Sequence, residues 1–198
     1  MKEYSIITTY NCNWDCPYCP RITNNKHRNF RDVLDAALTI EPNSEVSLSG
    51  GEPGTLKEDD LLELMNILQE KGCVVTICSN GEIFKHKRVL EVTKHILYHC
   101  SMNMDIDDVV VKNVGDIFIE YMVVVTDNNF NNLDGFLKKH NDIKISLIPG
   151  KGNILNDPSE NLSHGNIIRM IRSYREYMTK ENLKLLLSFS PESCGEFI

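Results

Sequence analysis

"EVSLSGGEPGTLKEDDLLELMNILQEKGCVVTIC", residues 45–78, holds one complete unit of the fold. Its β-branched start, "EVSLS" (45–49), predicts a strand. After a glycine-rich turn, Thr55 and Glu58 have the spacing of a T-x-x-E capping box, which opens a helix running to Lys71. Leu61, Leu62, Met65 and Leu68 give that helix an apolar face, and Gly72 stands in the usual C′ position. "CVVTIC" (73–78) is the next strand. Strand, helix and strand in this order predict parallel strands joined by a helical crossover.

The same alternation extends in both directions. Upstream lie a strand at "YSIITT" (4–9) and a helix at "NFRDVLDAALTI" (29–40). Downstream, a helix is predicted over 83–95, strands at "LYHCSMNM" (97–104) and "IFIEYMVVVT" (117–126), and a helix near 129–140 with Phe130, Leu133, Phe136 and Leu137 inward. "IKISLI" (143–148) alternates as a strand, a helix follows near 165–179, and "LKLLLSF" (183–189) reads as a further edge strand before the tail to 198. These make about six β–α units. A closed eight-stranded α/β barrel takes about 250 residues. With 198 residues, the chain is expected to be a single α/β domain, an incomplete parallel β/α barrel. The polar stretch 150–164 is its one long loop.

Composition narrows the function classes. Apolar residues make up 41% and charged residues 25%, ordinary values for a soluble globular protein. No apolar run approaches the ~18–20 residues of a membrane span. "MKEYSIITTY" lacks the apolar centre of a secretory signal, so a cytoplasmic location is expected. A formal charge of −7 argues against a broad nucleic-acid surface, although "KHKR" (85–88) is a local basic run. Seven cysteines, clustered and odd in number, suit free thiols in a reducing compartment better than a disulfide framework.

In parallel α/β folds ligands bind at the carboxyl ends of strands, and the unusual residues fall there. A cysteine loop, 10–28, follows the first strand; "SGGEPG" (49–54) follows the second and "SNG" (79–81) the third. "NMD" (103–105) ends the fourth, and "PGKG" (149–152) follows the sixth. "YNCNWDCPYCP" (10–20) spaces Cys12, Cys16 and Cys19 as C-x3-C-x2-C, one ligand short of a closed four-cysteine site. Either a fourth ligand such as His27 completes a zinc knuckle, or three thiolates hold three irons of a cubane and leave the fourth open. An open iron can chelate an amine and a carboxylate. Two glycines that let a backbone approach closely, and a Glu52 able to accept from an ammonium group, suit an amino acid moiety as the partner.

"CNWDCPYC" joined to "SGGEP", with the order of strand-end motifs over roughly residues 4–150, resembles the radical S-adenosylmethionine (radical SAM) superfamily. The resemblance implies that Cys12, Cys16 and Cys19 bind a 4Fe–4S cluster, with Tyr18 beside the adenine of S-adenosylmethionine. It implies that Gly50, Gly51 and Glu52 hold the methionine amino group, and that Ile148 to Gly150 lie under the adenine. Ser79, Asn80, Ser101 and Asn103 are candidates for carboxylate and ribose contacts. The implied chemistry is reductive cleavage of S-adenosylmethionine to a 5′-deoxyadenosyl radical, which abstracts a hydrogen atom from a peptide or small-molecule substrate. Flavodoxin or ferredoxin would supply the electron.

Other residues carry weaker signals. Cys73, Cys78 and Cys100 lie in strands and read as small core hydrophobes. His86, His95 and His140 sit among polar helical neighbours and suggest no function, while Trp14 is expected to shield the cluster. Glu120 interrupts an apolar strand, facing either the barrel interior or an outer edge. Cys194 is the one cysteine outside the cluster loop and the strands, a candidate hydrogen donor or an incidental thiol in a loose tail. "KEYSIITTY" lacks the glycine-rich stretch usual in glycyl-radical-enzyme activases, and the chain resembles peptide- and cofactor-maturing members best. An activating subunit for a partner protein and a non-catalytic metal module are the alternatives.

Overall fold

A computed structural model describes residues 1–14, 16, 29–100, 115–140, 145–149 and 162–177. The predicted strand 183–189, the tail and residues 150–161 of the predicted loop lie outside these residues. Six strands form one parallel sheet in sequential order: β1 (Glu3–Thr9), β2 (Glu45–Gly50), β3 (Val74–Ser79), β4 (His95–Cys100), β5 (Phe118–Val125) and β6 (Ile145–Pro149). The described helices are α1 (Phe30–Thr39), α2 (Glu58–Glu70), α3 (Lys87–Val92), α4 (Leu133–Lys139) and α5 (His164–Tyr177). The sequential parallel order, with no pairing of β1 to β6 among the described residues, is that of an open, partial β/α barrel.

The two faces of the sheet differ in chemistry. Ile6, Val46, Leu48, Val75, Ile77, Ile96, Tyr98, Tyr121, Val123, Ile145 and Leu147 point one way and share a core with Val33, Ala37, Leu61, Leu64, Met65 and Leu68 of the helices. The other face carries Ser47, Thr76 and His95, joined in register across β2, β3 and β4. Met122 and Ser146 continue that face across β5 and β6, and these residues are half-buried. Such alternation departs from the near-continuous apolar runs of a parallel sheet buried on both sides.

Glu120 belongs to this second face, paired in register with Leu97. It is 7% exposed, Ser146 Oγ donates to its Oε1 at 2.6 Å, and His95 Nε2 lies 3.8 Å from its Oε2. The inward option is therefore the one realised, and Ser146 already holds the carboxylate.

Several predicted boundaries shift. Thr55 does not cap α2: it closes a 3₁₀ turn, Pro53–Thr55, and its hydroxyl donates to the Glu52 carbonyl at 2.7 Å. Lys57 occupies the N-cap with no side-chain bond, and Glu58, Asp59 and Asp60 face the positive end of the helix instead. On α2, Leu64 is fully buried alongside Leu61, Met65 and Leu68, whereas Leu62 is partly buried. The predicted helix 83–95 breaks at His86 (φ −91°, ψ 84°) into a 3₁₀ turn, Glu82–Lys85, and α3, which ends at Val92, and His95 already belongs to β4. Likewise 129–140 divides into a 3₁₀ turn, Phe130–Asn132, and α4.

The basic run 85–88 is mostly neutralised. Lys85 pairs with Glu82, and Arg88 pairs with Glu58 at 3.1 Å and Asp59 at 2.5 Å.

Candidate functional site

The loops after β1, β2 and β3 are joined at the carboxyl edge of the sheet. Past the last strand residues, the ladder between β1 and β2 continues: Gly51 N–H donates to the Thr9 carbonyl and Glu52 N–H to the Asn11 carbonyl, both at 2.7 Å. This explains the glycines. A Cβ on Gly51 would lie 2.1 Å from the Asn11 carbonyl oxygen, and Gly50, at φ +115°, would place one 2.6 Å from the Thr9 oxygen. The close approach is between the "GGEP" backbone and the entry to the cysteine loop, and both glycines are spent on it.

Glu52 turns inward at 1% exposure. Its Oε1 accepts from Gly54 N–H at 2.8 Å and from Ser79 Oγ at 2.7 Å, while Oε2 accepts from Asn80 N–H at 2.6 Å. One carboxylate therefore ties the β2 loop to the β3 loop. Burial pushes its pKa above the usual carboxylate range, against the lowering pull of the three donors. A carboxylate offers about four acceptor positions, so one on Oε2 is left beyond these three donors.

Ser79 is occupied by the protein too, since its hydroxyl accepts from Gly81 N–H at 3.0 Å besides donating to Glu52. Asn80 turns toward the cysteine loop. Its Nδ2 donates to Asn13 Oδ1 at 2.8 Å and to Cys12 Sγ at 3.7 Å. Trp14 N–H donates to the same sulfur at 3.4 Å, and Trp14 is half-buried.

Cys16 is half-buried on the same loop. Tyr18, Cys19, His27, Ser101, Asn103, Gly150 and Cys194 lie outside the described residues. Ile148 lies half-buried near the end of β6. Of the other cysteines, Cys73 is buried and donates to the Glu41 carbonyl at 3.7 Å, as a core thiol does. Cys78 is half-buried, and desolvation pushes its thiol up to about 11, which keeps it protonated at neutral pH.

His86 supports the site and was not anticipated. It is buried, and its Nε2 meets the Gly54 carbonyl at 2.9 Å, bracing the end of the "GGEP" turn. The spacing Ile83, His86, Leu90 puts it on the apolar side of its segment, a signal that its charged neighbours obscure.

The radical SAM superfamily profile matches residues 6–115, which takes in β1, the cysteine loop, "GGEP" and "SNG". The chain belongs to the radical SAM superfamily. Members are enzymes whose cofactors are a 4Fe–4S cluster and S-adenosylmethionine. MJ1227 of Methanocaldococcus jannaschii, named as a candidate glycyl-radical enzyme activating enzyme, is 33% identical over 101 residues, covering 46% of this chain and 37% of that protein. Among solved structures, anSMEcpe with bound AdoMet and the Cp18Cys peptide superposes with a TM-score of 0.67 at 15% identity, over 89% of this chain and 59% of that one. Streptococcus suis SuiB bound to the precursor peptide SuiA gives a TM-score of 0.61 at 19% identity, over 90% of this chain and 46% of that one. The two solved structures share the partial-barrel fold, and the chain spans 37% of MJ1227, 59% of anSMEcpe and 46% of SuiB.

The cofactors fit what the described residues offer. Cys12 Sγ accepts two N–H groups, as the sulfur of a metal-bound thiolate does, and Glu52 retains one acceptor position.

Proposed function

We propose that this protein binds a 4Fe–4S cluster through Cys12, Cys16 and Cys19 and S-adenosylmethionine beside it, generating a radical that takes a hydrogen atom from a polypeptide. The observation that carries the reading is the fastening of the cysteine loop to "GGEP" by the Thr9–Gly51 and Asn11–Glu52 hydrogen bonds. That fastening puts a thiolate loop and an amino acid-sized recognition turn side by side. Cys12, Cys16 and Cys19 would hold the cluster, which when bound would supply the single electron for reductive cleavage of S-adenosylmethionine. The protein's work is to hold and orient. Gly50, Gly51 and Glu52 receive the methionine ammonium, through backbone carbonyls and the remaining Oε2 position. Ser79 and Asn80 act one step back, fixing Glu52 and the cysteine loop. Tyr18, Ser101, Asn103 and Ile148 to Gly150 complete the nucleoside side of the site by the family's pattern. Cys194 is the candidate to return a hydrogen atom to the substrate radical.

A polypeptide substrate is supported by the relatives, since MJ1227 is named for activating an enzyme and the anSMEcpe and SuiB structures hold bound peptides. A flavodoxin or ferredoxin is the expected electron donor. Peptide modification and activation of a partner enzyme are the two forms of this reading, and the second is favoured by the M. jannaschii relative. The deciding experiment is anaerobic reconstitution with iron and sulfide, followed by assay for 5′-deoxyadenosine after dithionite reduction. Close to four irons per chain and production of 5′-deoxyadenosine are expected. Stoichiometric zinc, with no S-adenosylmethionine cleavage, would overturn the reading.

A further inference from the structure

We propose that Asn80 sets the reduction potential of the cluster by donating an N–H···S hydrogen bond to Cys12; the proposal rests on the cluster reading above. Two fixed partners decide which end of the amide faces the sulfur. Glu82 backbone N–H, which can only donate, meets Asn80 Oδ1 at 3.3 Å. On the other side, Glu82 Oε2 accepts from Asn13 Nδ2 at 3.2 Å, which leaves Asn13 Oδ1 to accept from Asn80 Nδ2 at 2.8 Å. Both constraints turn the NH2 group of Asn80 toward Cys12 Sγ, 3.7 Å away.

A neutral donor beside a thiolate ligand stabilises whichever cluster state carries more negative charge. Reduction adds one electron, so the bond favours the reduced state and raises the potential. Trp14 contributes a second N–H to the same sulfur, but from the backbone, where only proline would remove it. Asn80 is the side-chain contribution, and it arrives from the end of β3 while Cys12 follows β1.

The test compares the reconstituted wild-type protein with Asn80→Leu, Asn80→Asp and Asn13→Ala, measuring iron content first and then the midpoint potential by a titration followed by EPR. Asn80→Leu is expected to lower the ratio of reduced to oxidised cluster at a fixed solution potential about tenfold, a shift of about 59 mV to more negative values. Asn80→Asp, which puts a negative charge near the sulfur, shifts it further the same way. Asn13→Ala loosens the loop contact but leaves the Asn80 donor, and stays within about twofold of wild type. Unchanged potentials in iron-loaded Asn80 variants would overturn the proposal, as would an Asn13→Ala shift equal to that of Asn80→Leu. Should the leucine variant take up no iron, Asn80→Ala, which removes the donor without adding charge or bulk, carries the same comparison. A wild-type protein that binds no iron refutes the cluster reading itself.

Discussion

Replacing Glu52 tests whether the rim is one connected structure. Glu52→Ala removes the acceptor shared by Gly54 N–H, Ser79 Oγ and Asn80 N–H, and it does so at a position 1% exposed. Individual hydrogen bonds to a charged group are worth about 1.5–3 kcal/mol, but ionising a buried carboxylate offsets part of their sum. Alanine leaves these three neutral donors without their acceptor, at about 1–3 kcal/mol for each that stays buried, and the desolvation regained on losing the carboxylate brings the net cost to about 3–5 kcal/mol. For a chain of this size each kcal/mol moves the melting temperature by about 2–4 °C, so a fall of about 6–20 °C is expected. Glu52→Gln keeps the shape and one acceptor oxygen but turns an NH2 toward a donor, at about 1–3 kcal/mol. The assay is thermal unfolding of the apo protein by circular dichroism. An alanine variant melting within about 2 °C of wild type would refute the connection.

The raised pKa of Glu52 adds a pH signature to the same pair of proteins. The folded state holds the proton more tightly than the unfolded chain. The stability from this group is therefore fully present below the unfolded carboxyl pKa and is lost as pH rises through the folded value. On the proposed role of Glu52, binding of the S-adenosylmethionine ammonium favours the ionised form, so affinity should rise over that same interval. Glu52→Gln should abolish both trends.

Three further outcomes are expected. Gly51→Ala drives a Cβ to within 2.1 Å of the Asn11 carbonyl oxygen, so it should lower both iron uptake and melting temperature, measured by iron assay and calorimetry. Substituting Cys12, Cys16 and Cys19 together by alanine should abolish iron binding; full loading in that variant would move the cluster to other cysteines. His86→Phe leaves the buried Gly54 carbonyl without its ring partner, a loss of about 1–3 kcal/mol, which a urea unfolding curve with unchanged slope would register.

The sheet was legible because β-branched runs and glycine stops mark each strand and turn, and "EVSLS" and "CVVTIC" land within a residue of β2 and β3. Boundaries near the rim were less legible because tertiary contacts override local signals there. Thr55 carries a capping signature, yet its hydroxyl is taken by the Glu52 carbonyl in the turn the rim requires. His86 looks like part of a solvated helix, yet its ring is drawn inward to Gly54 and the helix breaks around it. The glycines of "GGEP" were identifiable as sites of close approach, but one-dimensional spacing does not say what approaches. Here it is the Asn11 backbone, brought alongside by strand pairing.

The polar face of the sheet follows the same logic. Ser47, Ser49, Thr76 and Ser146 alternate with Val46, Leu48, Val75, Ile77, Ile145 and Leu147, so each strand has one side for the helices and one that is half-wet. A closed barrel fills its interior with layers of branched apolar side chains. Among the described residues the six-stranded sheet does not close on itself, so its polar face is not packed into such layers, and hydroxyls can be retained where burial would otherwise penalise them. Ser5 Oγ meets Ser49 Oγ at 3.0 Å, and Thr8 Oγ1 donates to the Ser49 carbonyl at 3.1 Å just below the Gly50–Gly51 turn. These contacts lead into the hydrogen bonds of Gly51 and Glu52, then through the Glu52 carboxylate to Ser79 and Asn80, and finally to Cys12. The cysteine loop and the "GGEP" turn are therefore held by one continuous polar network, so a substitution at Glu52, Ser79 or Asn80 should register at both.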